Sequence, residues 1–485
     1  MAQSVTRSLL FSFLDRYASL AITILSSLVI ARLLKPAEIG TFSVAMVFIS
    51  LLSTMRDLGI GAYLIQEKEL TPARLRTAWG VQLTMGLSCS LLVALLSAPL
   101  AGYFHEPVLR DLLLVIACNF LVIPFGALNY ALLVRDMRFD AIAMVRLSQT
   151  VAIAGVSIGT AYAGHGALSL AYGNLAGVSV AAIAGIALRK GAPWLPAFTE
   201  LRRVLNVGAT MTVSSLFSAA ATSAPEFLLG KLQSMASVGY YSRANGLIAM
   251  VNRLLTDATY PVAEAKFAAL SRGGESCAPA FLTALAYLLA VGWPMCAFLA
   301  LMAEPLVLLM YGSQWVDSIT PTRILGVSAL LTLWTTVCQA ALVATGHNRL
   351  VMRGNVLQAL FTGLAAAAAG AFGVTAMCVA LVVASLLSGL VWLKLAQGSI
   401  GFKWQDLHRI LANSALITAA VALAAGAGLA GGHWLALNAV AQLAVAVVLG
   451  ASAGLAALVI TGHPLATLLR SFAASRLGRR RSEGA

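Results

Sequence analysis

The sequence predicts an all-α integral membrane protein of about fourteen transmembrane helices. Three observations carry this reading. The 485 residues are 60% hydrophobic and only 10% charged, against roughly 45–50% apolar and 25% charged in a soluble domain. The apolar residues come in unbroken runs of about twenty, the length a helix needs to span the hydrocarbon core. The basic residues collect in alternate spacers between those runs, as orientation in a bilayer requires. Such a chain cannot cover its surface with polar groups in water, so lipid is its solvent.

The runs fall at 9–31, 39–65, 77–101, 109–133, 142–163 and 167–188, then at 204–230, 237–262, 279–303, 322–345, 352–370 and 373–396, with two more at 408–430 and 435–461. Lys35-Pro36, Glu106-Pro107, Pro193, Pro196 and Pro321 fall in spacers, where a missing amide donor costs little. Gly164-His165-Gly166 and Gly431-Gly432 mark tight returns. A membrane barrel would alternate apolar and polar residues, and these runs do not. The first run is too long for a signal-peptide core and reads as an uncleaved span.

With a cytoplasmic amino terminus, 23 of the 32 lysines and arginines lie in segments expected inside, and five (Arg32, Lys35, Arg110, Lys231, Arg323) lie outside. The positive-inside rule is met at nearly every inner loop, which places both termini in the cytoplasm. The net charge of +14 is therefore a membrane-orienting charge. No basic helix or folded module carries nucleic-acid binding. The six cysteines show no CxxC or Cys/His spacing, so neither a metal site nor a disulfide framework is expected. No GxxxxGK[ST] string occurs, and no spacer exceeds about twenty residues, too short for a nucleotide-binding or glycosyltransferase domain. No cofactor and no enzymatic activity are expected, and the chain is expected to be a monomer.

An internal repeat organises the helices. RLLKPAEIGTF (Arg32 to Phe42) and KLQSMASVGYY (Lys231 to Tyr241) match at an offset of 199, each at the outer turn before a span. An offset of six helices preserves orientation, so the halves are expected to be related by a pseudo-two-fold axis along the membrane normal. The expected domains are an N-terminal lobe (1–199), a C-terminal lobe (200–398), and two extra helices with a basic cytoplasmic tail (399–485). Transporters of this build hold substrate between lobes and work by alternating access.

Charges inside spans cost about 2.5–3.5 kcal/mol each on insertion scales, so each asks for a reason. Asp15 and Arg16 lie in the first span, Arg56 and Asp57 in the second, Arg253 and Asp257 in the eighth. Within an ideal helix, Asp15/Arg16 and Arg56/Asp57 point about 100° apart and should not pair, whereas Arg253 and Asp257 at i, i+4 can. Arg56 is expected about 13 Å from the inner end of its span, counting 1.5 Å per residue back from Ile65. Three readings stand open: an ion-pair cluster locking an inner gate, an anion-binding cavity, and snorkelling to the interface. At the offset of 199, Arg56 maps to Leu255, and Asp15 and Arg16 map to Ser214 and Ser215. The lobes are thus similar in build and unequal in chemistry, and a cation-rich inner cavity favours an anionic substrate.

The stretch from Ile30 through Gln66, with RLLKPAEIG and SLLSTMRDLGIGAYLIQ, together with the GYYSRAN echo at Gly239 to Asn245, resembles the bacterial polysaccharide flippases of the multidrug/oligosaccharidyl-lipid/polysaccharide exporter superfamily. That resemblance implies translocation of undecaprenyl-diphosphate-linked oligosaccharide across the inner membrane. It implies diphosphate contacts from Arg16, Arg56 and Arg253, with Asp15, Asp57 and Asp257 as gating or ion-coupling partners. It also implies a lipid-tail groove between the last two helices, and a polysaccharide polymerase and chain-length regulator as candidate partners. Trp79, Tyr130, Tyr240, Tyr241 and Trp334 are candidates for stacking on sugars or for interfacial anchoring. The alternatives are a multidrug or cation antiporter of the same superfamily and a peptidoglycan lipid-precursor flippase.

Overall fold

A computed structural model of the chain describes residues 2–57, 59–189, 195–199, 201–435 and 437–467. Among them no strand occurs. The helices are α1 (Ala2–Leu33), α2 (Pro36–Asp57), α3 (Ile60–Gln66), α4 (Pro72–Phe104), α5 (Pro107–Arg135), α6 (Phe139–Tyr162), α7 (Leu168–Leu188) and α8 (Leu201–Leu232). They continue as α9 (Met235–Arg272), α10 (Ala278–Leu301), α11 (Ala303–Tyr311), α12 (Ile319–Ala344), α13 (Asn348–Ala369), α14 (Val374–Ile400), α15 (Trp404–Trp434) and α16 (Ala439–Ile460).

Eleven helices among the described residues are long and apolar enough to cross a membrane: α2, α4 to α7, α10 and α12 to α16. The chain is a multi-pass membrane protein. Helices also stand at the other three expected positions, α1, α8 and α9, with Tyr17–Leu33 forming the apolar part of α1. The outward faces suit lipid. Leu87, Leu91 and Leu95 form an exposed stripe along α4, a patch that water would penalise and hydrocarbon does not. Trp404, Trp434 and Tyr162, at helix ends, are exposed as an interfacial belt requires.

The chain forms two compact units, Met1–Ser242 and Arg243–Ala485. In the first, α1 packs on α6, α4 on α5, α5 and α6 on α7, and α2 on α8. Its core includes Ile60, Tyr63, Leu64, Trp79, Leu128 and Leu132. In the second, α12 packs on α10 and α14, and α15 on α10 and α16. Two small cores hold the last two helices to their neighbours: Ala290, Ile417 and Leu458, then Met302, Ala425 and Ala446. Alanine and glycine at these crossings let helix backbones approach closely, the usual adhesive where lipid removes the hydrophobic drive.

Three expected spans differ in detail. The run 39–65 is not one helix: it stops at Asp57, turns at Gly59 (φ 67°, ψ 12°), and resumes as α3, about two turns long. Left-handed backbone at Gly59 is open to glycine at no steric cost. The depth of Arg56, counted along a straight helix to Ile65, is therefore not a valid measure. The run 279–303 divides at Met302 into α10 and α11. And α9 extends to Arg272, so Lys266 and Arg272, expected in a loop, are helical. At about 1.5 Å per residue this helix outreaches the roughly 30 Å hydrocarbon core.

Local chemistry explains several helix ends. Thr71 caps α4, its hydroxyl accepting from the Arg74 amide with Pro72 at the first helical position. The basic residues that orient the chain also bind helix C-termini. Arg135 Nη1 donates to the Leu64 carbonyl (2.8 Å) and Nη2 to that of Lys68 (3.2 Å), closing the exposed end of α3. Arg138 Nη1 donates to the carbonyl of Leu188, the last residue of α7 (2.9 Å). Arg189 pairs with Asp136 at 3.1 Å. Arg135 and Arg138 thus meet carbonyls left open at or just past a helix end, where the macrodipole is negative.

Candidate functional site

The break between α2 and α3 borders an open space in the first unit, walled by residues of α2 to α7. A cavity of about 570 Å³ remains, lined by Arg56, Asp57, Gln82, Tyr130 and Gln149 on a wall of small apolar residues. Its size is within the range for small-ligand sites, and its few converging polar groups fit that class.

Arg56 is the central group. Its side chain is 11% exposed and that of Asp57 is 64% exposed. Arg56 Nε donates to Asp57 Oδ1 at 3.0 Å, and Nη2 donates to the same oxygen. The guanidinium carbon lies 6.0 Å from the centroid of the Phe120 ring, within reach of a cation–π attraction. Nη1 is buried and has no hydrogen-bond partner among the described residues. Gln82 Oε1 is in the same condition. A buried donor without a partner is costly, and a guanidinium in a cavity wall is chemically able to receive an anion there.

The Arg56–Asp57 pair corrects the expectation that these neighbours cannot meet. The 100° rule holds for two residues inside one helix. Asp57 is the last residue of α2, so its side chain is not held to the helical direction, and the long arginine bends round to reach it.

The remaining candidates are distributed differently. Asp15 and Arg16 lie on α1, and their side chains fall outside the described residues. Arg253 and Asp257 stand on α9 in the second unit, both exposed. Of the aromatics, Trp79 packs edge-on against Phe125 at 5.2 Å, and Tyr241 and Trp334 are also buried. These three are core side chains. Tyr130 alone lines the cavity, its hydroxyl accepting from Arg146 Nη2 at 2.7 Å. Sequence reasoning passed over Gln82 and Gln149. The available signal was an amide in the middle of an apolar run, since a buried polar group must find a partner or line a cavity.

A family model described as polysaccharide biosynthesis protein matches residues 29–320. The lipopolysaccharide biosynthesis protein WzxC of Escherichia coli K12 is 25% identical over 383 residues, covering 76% of this chain and 77% of that protein. The succinoglycan biosynthesis transport protein ExoT of Rhizobium meliloti is 25% identical over 415 residues, covering 83% and 80%. Among solved structures, the lipid II flippase MurJ in an inward closed conformation superposes with a TM-score of 0.77 at 14% identity, covering 94% of this chain and 99% of that one. An inward-facing multidrug transporter of the MATE family gives 0.58 at 15% identity, covering 79% and 94%. At these identities the structural likeness is one of fold.

Proposed function

The chain belongs to the polysaccharide biosynthesis protein family, and from that premise we propose that it is a flippase for undecaprenyl-diphosphate-linked oligosaccharide repeat units. It moves them by alternating access from the cytoplasmic to the outer leaflet of the bacterial inner membrane. Both termini are cytoplasmic, as the distribution of cations supports. The released units feed exopolysaccharide or O-antigen assembly, with a polymerase and a chain-length regulator as partners. The chain moves substrate without making or breaking a covalent bond.

The observation that carries the reading is Arg56: a nearly buried guanidinium with one donor nitrogen unpartnered in a cavity at the inner end of α2. Asp57 is the exposed, exchangeable anion. A pair of unit charges about 4 Å apart in an effective dielectric near 20 attracts by about 4 kcal/mol. A diphosphate, with roughly twice the charge and two oxygens set for the guanidinium fork, displaces Asp57 on charge alone. Release of Asp57 then changes the end of α2 at the glycine turn. Arg16 and Arg253 supply further diphosphate contacts, with Asp15 and Asp257 as their gating partners. One lobe, 1–199, rocks against the other, 200–398, with the substrate near the pseudo-two-fold axis, and 399–485 adds a surface for the lipid tail.

The test is a leaflet-translocation assay in proteoliposomes with three substrates: a repeat-unit lipid diphosphate, a peptidoglycan lipid precursor, and a cationic drug. Movement of the first alone is expected. Transport of the drug alone would make the protein an antiporter, and preference for the precursor would move it to the peptidoglycan branch, whose fold it shares.

A further inference from the structure

The outer end of α2 meets its own repeat. Ser43 Oγ donates to Ser242 Oγ at 2.8 Å, and these residues are 199 apart, the offset of the sequence repeat. Gly40 and Gly239 are separated by the same interval. A methyl group on Gly40 would fall inside the carbonyl oxygen of Met235, and one on Gly239 inside the carbonyl oxygen of Pro36. Met235 and Pro36 are themselves 199 apart. The contact is reciprocal: each glycine of one copy faces the first helical residue of the other. A two-fold axis running through the crossing is the only operation that produces such an exchange.

Three properties make this crossing a seal. The backbones touch where only glycine fits, so no gap remains for water. Gly40, Ser43, Met235 and Gly239 are all buried. Behind the crossing, Phe48, Phe104 and Phe227 pack edge to face with centroids 5.4 to 6.3 Å apart. The one polar link is directional: Ser43 donates to Ser242, and Ser242 is hydrogen-bonded in turn to the Glu226 carboxyl of α8.

We infer that the Gly40/Gly239 crossing with its Ser43–Ser242 bond is the outer closure of the transport path, and that α2 and the first turns of α9 must part there for substrate to leave. This rests on the flippase reading, because alternating access requires a contact that closes one side of the membrane while the other is open. A seal made of two short polar side chains and bare backbone can open and reclose without breaking an ion pair. That suits a large sugar passing through.

The test is a disulfide across the bond. In full-length Ser43→Cys/Ser242→Cys protein, oxidation should give a 43–242 bridge, identified by peptide mapping so that the six native cysteines can remain. The bridged protein should lose translocation of repeat-unit lipid by about tenfold or more and regain it on reduction. Failure of the bridge to form, or equal translocation by bridged and reduced protein, overturns the closure. If the reduced protein itself moves no repeat-unit lipid, the flippase reading has failed, and labelling decides the closure separately. Ser43→Cys in intact cells should react slowly with a membrane-impermeant maleimide added outside, and about tenfold faster when Gly239→Val holds the helices apart. An unchanged labelling rate overturns the proposal.

Discussion

The two ends of α2 obey different rules. Near its N-terminal end the residues of the crossing have copies 199 residues on, and the copies touch: Gly40 with Gly239, Ser43 with Ser242. At its C-terminal end the charged pair and the glycine turn have no copy. Arg56 corresponds to Leu255, Asp57 to Thr256 and Gly59 to Ala258. Where α2 stops and turns at Gly59, α9 runs on without a break to Arg272. Symmetry serves the part of the helix that must fit its twin. The other end has given symmetry up, as the proposed role asks: a diphosphate with a single tail and a single glycan would leave a second, equivalent arginine without an equivalent task.

The largest expected effect breaks the symmetric end. Gly40→Val drives a branched side chain into the Met235 carbonyl, an overpacking of about 3 kcal/mol or more, and translocation should fall to background. Gly239→Val should do the same from the other side, and insertion levels measured by immunoblot should stay normal for both. Next comes the asymmetric end. Arg56→Glu should lower translocation by about a hundredfold, the roughly 3 kcal/mol of a lost charge-assisted contact and a new repulsion. Arg56→Lys should recover part of it, because a lysine keeps the charge and loses the fork.

Smaller effects sharpen the contrast. Gly59→Ala puts a side chain where the backbone is left-handed, at a cost of about 1 kcal/mol, visible as a lower melting temperature in detergent. Ala258→Gly in α9 should cost a similar ~1 kcal/mol through backbone entropy alone, and it should leave translocation close to normal. Ser43→Ala removes one hydrogen bond worth about 1 kcal/mol, which favours the open crossing about fivefold. Faster external maleimide labelling of a cysteine introduced in place of the buried Thr41 beside the crossing, with Ser242 intact, would register that shift.

Much of the fold was legible because lipid is a strict solvent. It demands about twenty apolar residues per crossing, and α4 to α7, α10 and α12 to α16 begin and end close to the expected positions. The break at Gly59 was hidden for the same reason. Leu58-Gly59-Ile60-Gly61 is as apolar as any helix segment, and glycine is common inside membrane helices, so composition gives no warning of a turn. The site was half legible. Arg56 announced itself by the expense of a charge in hydrocarbon. Its partner did not, because ideal-helix geometry places Asp57 out of reach and only the end of α2 brings it back. Gln82 and Gln149 carry no charge and passed as tolerated polar residues, although both line the cavity. The offset of 199 was readable in the outer strings, and it reappears as the spacing of a hydrogen bond.

Binding of undecaprenyl diphosphate by Arg56→Glu and Gly40→Val protein, measured side by side in the same detergent, separates the two ends of α2 most directly. The expected result is that the Arg56 variant loses binding while the Gly40 variant, the more severely impaired in translocation, keeps it. Undiminished binding by the Arg56 variant would contradict the assignment of the diphosphate to the inner end of α2.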